Sequence, residues 1–276
     1  MLVVTGASGN VGGELVRVLA GQGRAVRAVV RDTGAYEAPP GVETTAGDLN
    51  RPDSLNEVFA GAEGLFLLGG FPDMPGALKA ARAAGIQHVV LLSSRSVVGG
   101  HADNAVVAMH QDSEAAVRAS GLAWTILRPS GFMSNTLGWA SQIRAGDEVR
   151  VPFAQVPIAA IAPYDIAAVA AAVLGRPEHH GLAHALSGPA ALLPADQLTV
   201  LSHLLDRPLR LVAQSDDEAR AEMSATTPAR FVDAFFRFFS DGEFDDSAVL
   251  GAVEEITGQP PRTYEDWART HVRSFR

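Results

Sequence analysis

Val3-Val4-Thr5-Gly6-Ala7-Ser8-Gly9-Asn10-Val11-Gly12-Gly13 is the stretch whose reading decides the fold. The apolar run of residues 1–4 ends in a turn carrying Gly6, Gly9 and Gly12 at three-residue spacing. Beyond it Val11, Leu15, Val18 and Leu19 fall at helical spacing. Gly6 permits the sharp turn, Gly9 lets backbone N–H groups approach a diphosphate, and Gly12 permits close helix–strand contact. A helix opening there directs unpaired N–H groups and the positive end of its dipole at an anion. The pattern predicts a dinucleotide-binding unit in which Gly6, Ser8, Gly9, Asn10, Val11 and Gly12 face the cofactor. The bland alternative is a structural turn, since the chain has 27 glycines.

Outward from this turn, strand and helix signals alternate. Residues 25–30 and 42–46 read as strands around a turn with Gly34, Pro39, Pro40 and Gly41. Residues 52–60 read as a helix opened by Pro52, with Leu55, Val58 and Phe59 on one face. Residues 65–68, 88–92 and 123–127 are apolar strands. Helices at 77–84 and 104–120 close at Gly85 and Gly121. Strands apolar throughout and separated by helices belong to a parallel sheet covered on both faces. The expected class is therefore α/β, a doubly wound parallel Rossmann-type sheet.

After Arg128-Pro129 the rhythm breaks into short segments up to Pro157. An alanine-rich helix then runs to Leu174, with Asp165 expected at its N-terminus accepting a backbone N–H. A strand at 183–186, a helix at 194–205, a strand at 209–212 and a mostly helical end follow. The expected division is a dinucleotide-binding domain at 1–155 and a smaller mixed, largely helical lobe at 156–276, part of it returning to the sheet.

Composition narrows the function classes. Twenty-two basic and 31 acidic residues leave a net charge of −9, which repels a nucleic-acid backbone. The apolar stretch 156–174 is broken by Pro157, Pro163 and Asp165, short of the ~18 residues of a membrane span. No basic region precedes the first apolar run, which speaks against a signal peptide. The expectation is a cytoplasmic protein with a small-molecule substrate and neither nucleic acid nor membrane as partner. With no cysteine, disulfides, thiolate catalysis and cysteine-ligated metals are excluded. His179, His180 and His184 read as a solvated loop, with metal binding as the lesser alternative, so no metal site is assigned. Lys79 is the only lysine.

Arg31 follows the second strand, where the adenosine ribose lies in such units. A guanidinium there suits the 2′-phosphate of NADP, whereas an acidic residue suits the 2′-hydroxyl of NAD. Asp32 can make that alternative contact or pair with Arg31. NADPH is the favoured cofactor over NAD.

Several further stretches carry a resemblance. With the glycine turn, Val29-Val30-Arg31-Asp32, Gly47-Asp48-Leu49-Asn50, Leu91-Leu92-Ser93-Ser94 and Ser120-Gly121-Leu122-Ala123-Trp124-Thr125-Ile126-Leu127-Arg128-Pro129 resemble the NmrA-like atypical short-chain dehydrogenases/reductases. So do Phe132-Met133-Ser134-Asn135, Tyr164-Asp165-Ile166-Ala167 and Pro261-Arg262-Thr263-Tyr264-Glu265-Asp266-Trp267. The likeness spans nearly the whole chain. That group includes NADPH-dependent quinone reductases and redox-sensing regulators. The resemblance implies that Asp48 and Leu49 border the adenine, that Leu68 and Gly69 line the nicotinamide half, and that Ser93 lies beside the cofactor. From the residues alone, Asp48 reads equally as a turn or capping carboxylate.

Short-chain dehydrogenases commonly use a tyrosine with a lysine four residues on. Tyr36, Tyr164 and Tyr264 are the only tyrosines and none precedes Lys79 by four. Alignment to the family puts Val106 at the tyrosine position and His110 at the lysine position. His110 and Glu114 share a helix face, so the carboxylate can orient the imidazole, which can offer a proton or hydrogen bond to an acceptor oxygen. The alternative is a surface His–Glu pair. Ser94 matches a substrate-bonding serine of relatives, and Arg95 and Ser96 can alter the site's polarity. Phe132 and Met133 are expected in the substrate wall, joined by part of the Phe231, Phe235, Phe236, Phe238 and Phe239 stretch. The resulting expectation is an NADPH-dependent oxidoreductase passing hydride to a small apolar or aromatic, quinone-like acceptor. The rivals are a non-catalytic NAD(P)-binding redox sensor with a protein partner, and a tailoring reductase of a biosynthetic pathway.

Overall fold

The computed structural model describes residues 1–276. Its strands are β1 (Leu2–Val4), β2 (Val26–Val30), β3 (Glu43–Ala46), β4 (Gly64–Leu68), β5 (His88–Leu92), β6 (Ala123–Pro129), β7 (Glu148–Val151), β8 (Leu182–Leu186) and β9 (Arg210–Ala213). Seven of them form one sheet in the order β3-β2-β1-β4-β5-β6-β8, with every neighbouring pair parallel. β7 and β9 form a separate parallel pair. From β1 the chain winds first toward β3, then returns to β4 and winds the other way. The reversal falls between β1 and β4, where a doubly wound sheet opens a crevice at its carboxyl ends.

Helices cover both faces because the central strands are apolar on both faces. α1 (Asn10–Gly21) and α7 (Pro163–Val173) pack on one side, where Leu15, Leu19, Ile166 and Ala170 meet Leu2, Val4 and Val90. α2 (Leu55–Phe59), α3 (Met74–Ala83) and, after the short α4 (Ser96–Gly99), α5 (Ala105–Ala119) pack on the other. There Leu55, Leu78 and Val117 meet Val3, Leu65, Leu67, Val89 and Leu91. Alternate residues of one strand thus serve opposite layers, as the period of two requires. Thr5 pins the crevice: its buried Oγ1 donates to the Phe66 carbonyl at 3.0 Å and accepts the Leu68 N–H at 3.2 Å.

The remaining elements are α6 (Ala140–Ala145), α8 (Pro194–Leu205), α9 (Asp216–Ser224), α10 (Ala229–Phe239), α11 (Ala252–Thr257) and α12 (Tyr264–His271). A third core joins Val149 and Val151 of β7 to Leu198 and Leu201 of α8 and to Trp267 and Phe275. No helix is long and apolar enough to cross a membrane. Asp165 does not cap its own helix. α7 starts at Pro163 on an Ala162 N-cap, and the buried Asp165 Oδ2 accepts the backbone N–H of Arg262 at 2.8 Å. The carboxylate therefore ties the C-terminal segment down. Burial raises its pKa to about 6 despite the N–H and the charge of Arg262.

At the amino ends of the strands, away from the crevice, His88 opens β5 and is buried with its tautomer set by its neighbours. Thr125 Oγ1 donates to the His179 carbonyl at 2.8 Å, leaving its lone pair for the His88 Nε2–H at 2.9 Å. The Gly175 N–H donates to His88 Nδ1 at 3.1 Å. The His180 ring lies tilted against His88, 4.4 Å between ring centroids, and His179 Nδ1 lies 3.3 Å from His184 Nε2. The imidazoles expected in a solvated loop pack on one another and on His88. A proton on Nδ1 would confront the Gly175 N–H, and burial, with His180 and His179 nearby, lowers the His88 pKa to about 4. The folded state then resists protonation that the unfolded chain accepts near pH 6.5, so stability falls as pH drops from about 6.5 toward about 4. His88 alone accounts for a loss of about 2 kcal/mol between pH 7.5 and pH 5. Urea unfolding of the wild type and His88→Gln across that range checks this: the variant's acid limb is flatter by that amount.

Candidate active site

The glycine turn is held by contact too close for any side chain. The Gly9 N–H donates to the Gly6 carbonyl at 2.9 Å, and Gly6 has φ +63°. A Cβ on Gly12 would stand 2.2 Å from the Gly6 oxygen, and one on Gly6 would stand 2.4 Å from Leu68 Cδ1. α1 begins at Asn10 on a Gly9 N-cap with no side-chain cap. The N–H groups of its first turn therefore face the crevice without an internal partner, which is what a diphosphate requires. Val11 contributes only its backbone, its side chain being buried. The Asn10 amide is engaged elsewhere, donating to Ser134 Oγ at 3.1 Å.

A cleft of about 360 Å³ extends from this turn over the ends of β2 and β3. Gly6, Ser8, Gly9, Arg31, Asp48, Leu49 and Leu68 line it, all expected from sequence. Phe71 and Asn50 line it as well and were not anticipated. Asp32 Oδ1 accepts the Gly34 N–H at 2.9 Å, so it closes its own turn and leaves exposed Arg31 without an ion-pair partner. Asp48 is a turn carboxylate. Its Oδ1 accepts the backbone N–H of Asn50 at 2.9 Å and the side-chain amide at 3.0 Å. These bonds hold its pKa below the ordinary value. The cleft, its Cβ-excluding glycines and the uncapped helix fit a dinucleotide.

Leu68 also lines a second cavity, of about 480 Å³, which Gly69, Ser93, Ser94, His110 and Phe132 border. Its far wall comes from α10 and the segment after it, with Phe235, Phe238, Phe239 and Phe244. Phe236 instead lies in a separate small core with Val232. Met133 is a correction. It is 2% exposed and packs in the third core, since the turn after Phe132 points it away from the cavity.

Glu114 is a second correction. It is buried, and its oxygens accept from Ser93 Oγ at 2.7 Å, Arg128 at 2.6 and 2.8 Å, and Arg118 at 2.9 Å. Burial pushes its pKa up, but Arg128, Ser93 and Arg118 prevail and hold it low. The carboxylate therefore secures α5 to the ends of β5 and β6 and makes no hydrogen bond to His110. The buried His110 Nδ1 has no partner at all, and burial lowers the imidazole pKa to about 4, so it is neutral at physiological pH. Ser94 Oγ accepts from Ser96 N at 3.2 Å and Ser96 Oγ at 3.0 Å.

Arg95 does not enter the cavity lining. Its Nε donates to Asp246 Oδ1 at 2.8 Å, and its Nη atoms donate to the carbonyls of Ala248 and Asp245. Asp246 Oδ2 accepts the Gly131 N–H at 2.7 Å, and Ala159 N–H donates to the Asp246 carbonyl. Segment 241–250 is thereby strapped across the sheet ends, carrying Phe244 and Asp246 to the cavity. Sequence reasoning missed this strap, because no local pattern marks a loop whose partners, Arg95, Gly131 and Ala159, lie so far along the chain.

Residues 6–177 match an NAD(P)H-binding family. A (4-alkanoyl-5-oxo-2,5-dihydrofuran-3-yl)methyl phosphate reductase from Streptomyces griseus subsp. griseus is 37% identical over 286 residues, covering 100% of this chain and 99% of its own. An NAD(P)H azoreductase from Xenophilus azovorans is 33% identical over 286 residues, with the same coverage of 100% and 99%. The fold is shared with an NADPH-dependent quinone oxidoreductase of Escherichia coli solved with NADPH, at TM-score 0.79 and 22% identity, covering 99% of this chain and 100% of that one.

Gly12→Ala tests the turn. The added methyl meets backbone rather than a movable side chain, so the variant loses about 1–3 kcal/mol of stability. Calorimetry detects dinucleotide binding at least tenfold weaker, because the turn must shift to admit the methyl.

Proposed function

This chain belongs to the NAD(P)H-binding family as one of the NmrA-like atypical short-chain dehydrogenases/reductases, and from that membership we propose that it reduces an apolar conjugated acceptor with NADPH. The observation that carries the reading is the phenylalanine-walled cavity that meets the dinucleotide cleft at Leu68. The named acceptors of the two relatives, a dihydrofuranone carrying a methyl phosphate and azo compounds, and the quinone of the structural neighbour share an electrophilic conjugated system. Such acceptors need little help with proton transfer, which suits a chain lacking the Tyr-xxx-Lys arrangement.

Backbone N–H groups at the start of α1 would hold the diphosphate, Asp48 and Leu49 would border the adenosine, and Arg31 would take a 2′-phosphate. NADPH held there would supply a hydride, two electrons that an acceptor completes with one proton from solvent. The chain's part is to position and to exclude water. The five phenylalanines of the cavity, Phe132 included, offer flat apolar faces to a ring. His110, neutral and unpartnered at Nδ1, donates a hydrogen bond to the oxygen or nitrogen on which charge develops, and solvent supplies the proton.

Arg31→Ala weakens NADPH binding about 10- to 100-fold, the loss of charge-assisted bonds to a phosphate, and NADH binding by less than threefold. Parallel titrations check this; equal losses refute the NADP assignment. For His110→Ala, kcat with a quinone falls about tenfold or more. Because His110 stays neutral, wild-type kcat is level from pH 5.5 to 8, and an inflection near 6.5 that vanishes in the variant would show a protonated imidazole instead.

A further inference from the structure

Tyr164-Asp165-Ile166-Ala167 and Pro261-Arg262-Thr263-Tyr264-Glu265-Asp266-Trp267 take no part in the proposed reduction, yet the fold brings them together. They meet at a cavity of about 620 Å³ bordered by α1, the start of α7 and α12. It shares no residue with the phenylalanine-walled cavity and only Ser8 and Gly9 with the dinucleotide cleft. Arg262 is fixed there at two points. The buried Asp165 carboxylate accepts its backbone N–H at 2.8 Å, and its guanidinium lies over the Tyr164 ring, 3.4 Å from the centroid. Asp266, the other carboxylate nearby, is engaged in capping α12 through the Thr263 N–H and hydroxyl. A guanidinium stacked on a ring keeps the N–H groups of its edge for an anion in its own plane.

Arg17 brings a second guanidinium. It folds back along α1, its Nη atoms 3.9 Å from where a Cβ on Gly13 would stand, and it neutralises Glu14, the cavity's one acid, at 2.8 Å. α7 opens on the cavity at Pro163 and Tyr164 with no side-chain cap, which adds the positive end of its dipole. Trp267 borders the cavity, 2% exposed, and its indole Nε1–H has no acceptor. His271 stacks on it at 4.6 Å, held by its Nδ1–H on the Trp267 carbonyl at 2.8 Å. One wall is therefore aromatic and the opposite one cationic.

We propose that this cavity is a second anion site, which takes a small phosphomonoester carried on a flat aromatic ring. The phosphate lies on Arg262 and the opening of α7, and the ring lies against Trp267 and His271. A guanidinium fork and a helix opening together favour a dianion over a carboxylate. The volume falls within the roughly 300–1,000 Å³ of small-molecule sites. The site does not depend on hydride transfer.

Calorimetry on the full chain with 1-naphthyl phosphate tests this, and the expected Kd is about 0.1–1 mM. 1-Naphthoate and inorganic phosphate, which lack the second charge and the ring, each bind about tenfold weaker or worse. Arg262→Gln keeps the backbone N–H that Asp165 holds; it weakens the probe about tenfold or more and NADP+ less than about twofold. Arg31→Ala does the reverse. Arg17→Gln, an exposed change that guards against poor folding of the first variant, weakens the probe about threefold. NADP+ raises the probe's Kd to a plateau no more than about fivefold higher, as two anions at neighbouring sites repel. Four results would each overturn the proposal. They are a Kd that climbs without limit as NADP+ is added, equal losses of NADP+ and probe in Arg262→Gln, probe binding unchanged in both variants, and inorganic phosphate binding as tightly as the probe. Failure of NADP+ to bind would remove the reductase reading and leave the probe's dependence on Arg262 intact.

Discussion

Gly12 and the carbonyl of Gly6 approach so closely that no other residue fits, and the rest of the site is laid out from that contact. It brings the start of α1 against the end of β1, at the point where the sheet reverses its winding. The helix must then open toward the crevice without a side-chain cap, and its N–H groups become the anion-binding feature. Gly6 in turn makes room for Leu68 at the end of β4. Leu68 is shared by the cleft at the glycine turn and the phenylalanine-walled cavity, so one steric constraint sets the spacing between the two.

Around that frame, buried charges are matched in closed sets, as a low-dielectric interior demands. Glu114 is consumed by Ser93, Arg118 and Arg128, which fastens α5 to the sheet. His110, one turn away on the same helix, is left without a carboxylate and stays neutral. Arg95 and Asp246 cancel while strapping segment 241–250 over the sheet ends. The two sets have a common result: the cavity is polar in places but carries no free charge. What the cavity offers is accordingly hydrogen bonds and apolar faces.

Most of the strands and helices were legible in the chain, because apolar periodicity and glycine or proline punctuation act over a few residues. Helix 194–205 and the strands at 65–68, 88–92 and 123–127 lie where the pattern places them. Arg31, Asp48 and Leu49 line the cleft where motif spacing and family likeness put them. The misreadings have one physical origin. Asp165, Glu114 and Met133 were each interpreted through near neighbours in sequence, whereas their partners are Arg262, Arg128 with Ser93, and the third core.

What the sequence by itself determined was the doubly wound sheet, the glycine turn at its head and the absence of a tyrosine–lysine pair, all properties of residue identity at short range. Only the tertiary structure decided which charges meet. It set Arg95 against Asp246, left His110 alone and aimed Phe244 into the cavity. Side-chain pairing depends on distances across the fold that no local spacing encodes, and burial then decides which pairs a charge cannot do without.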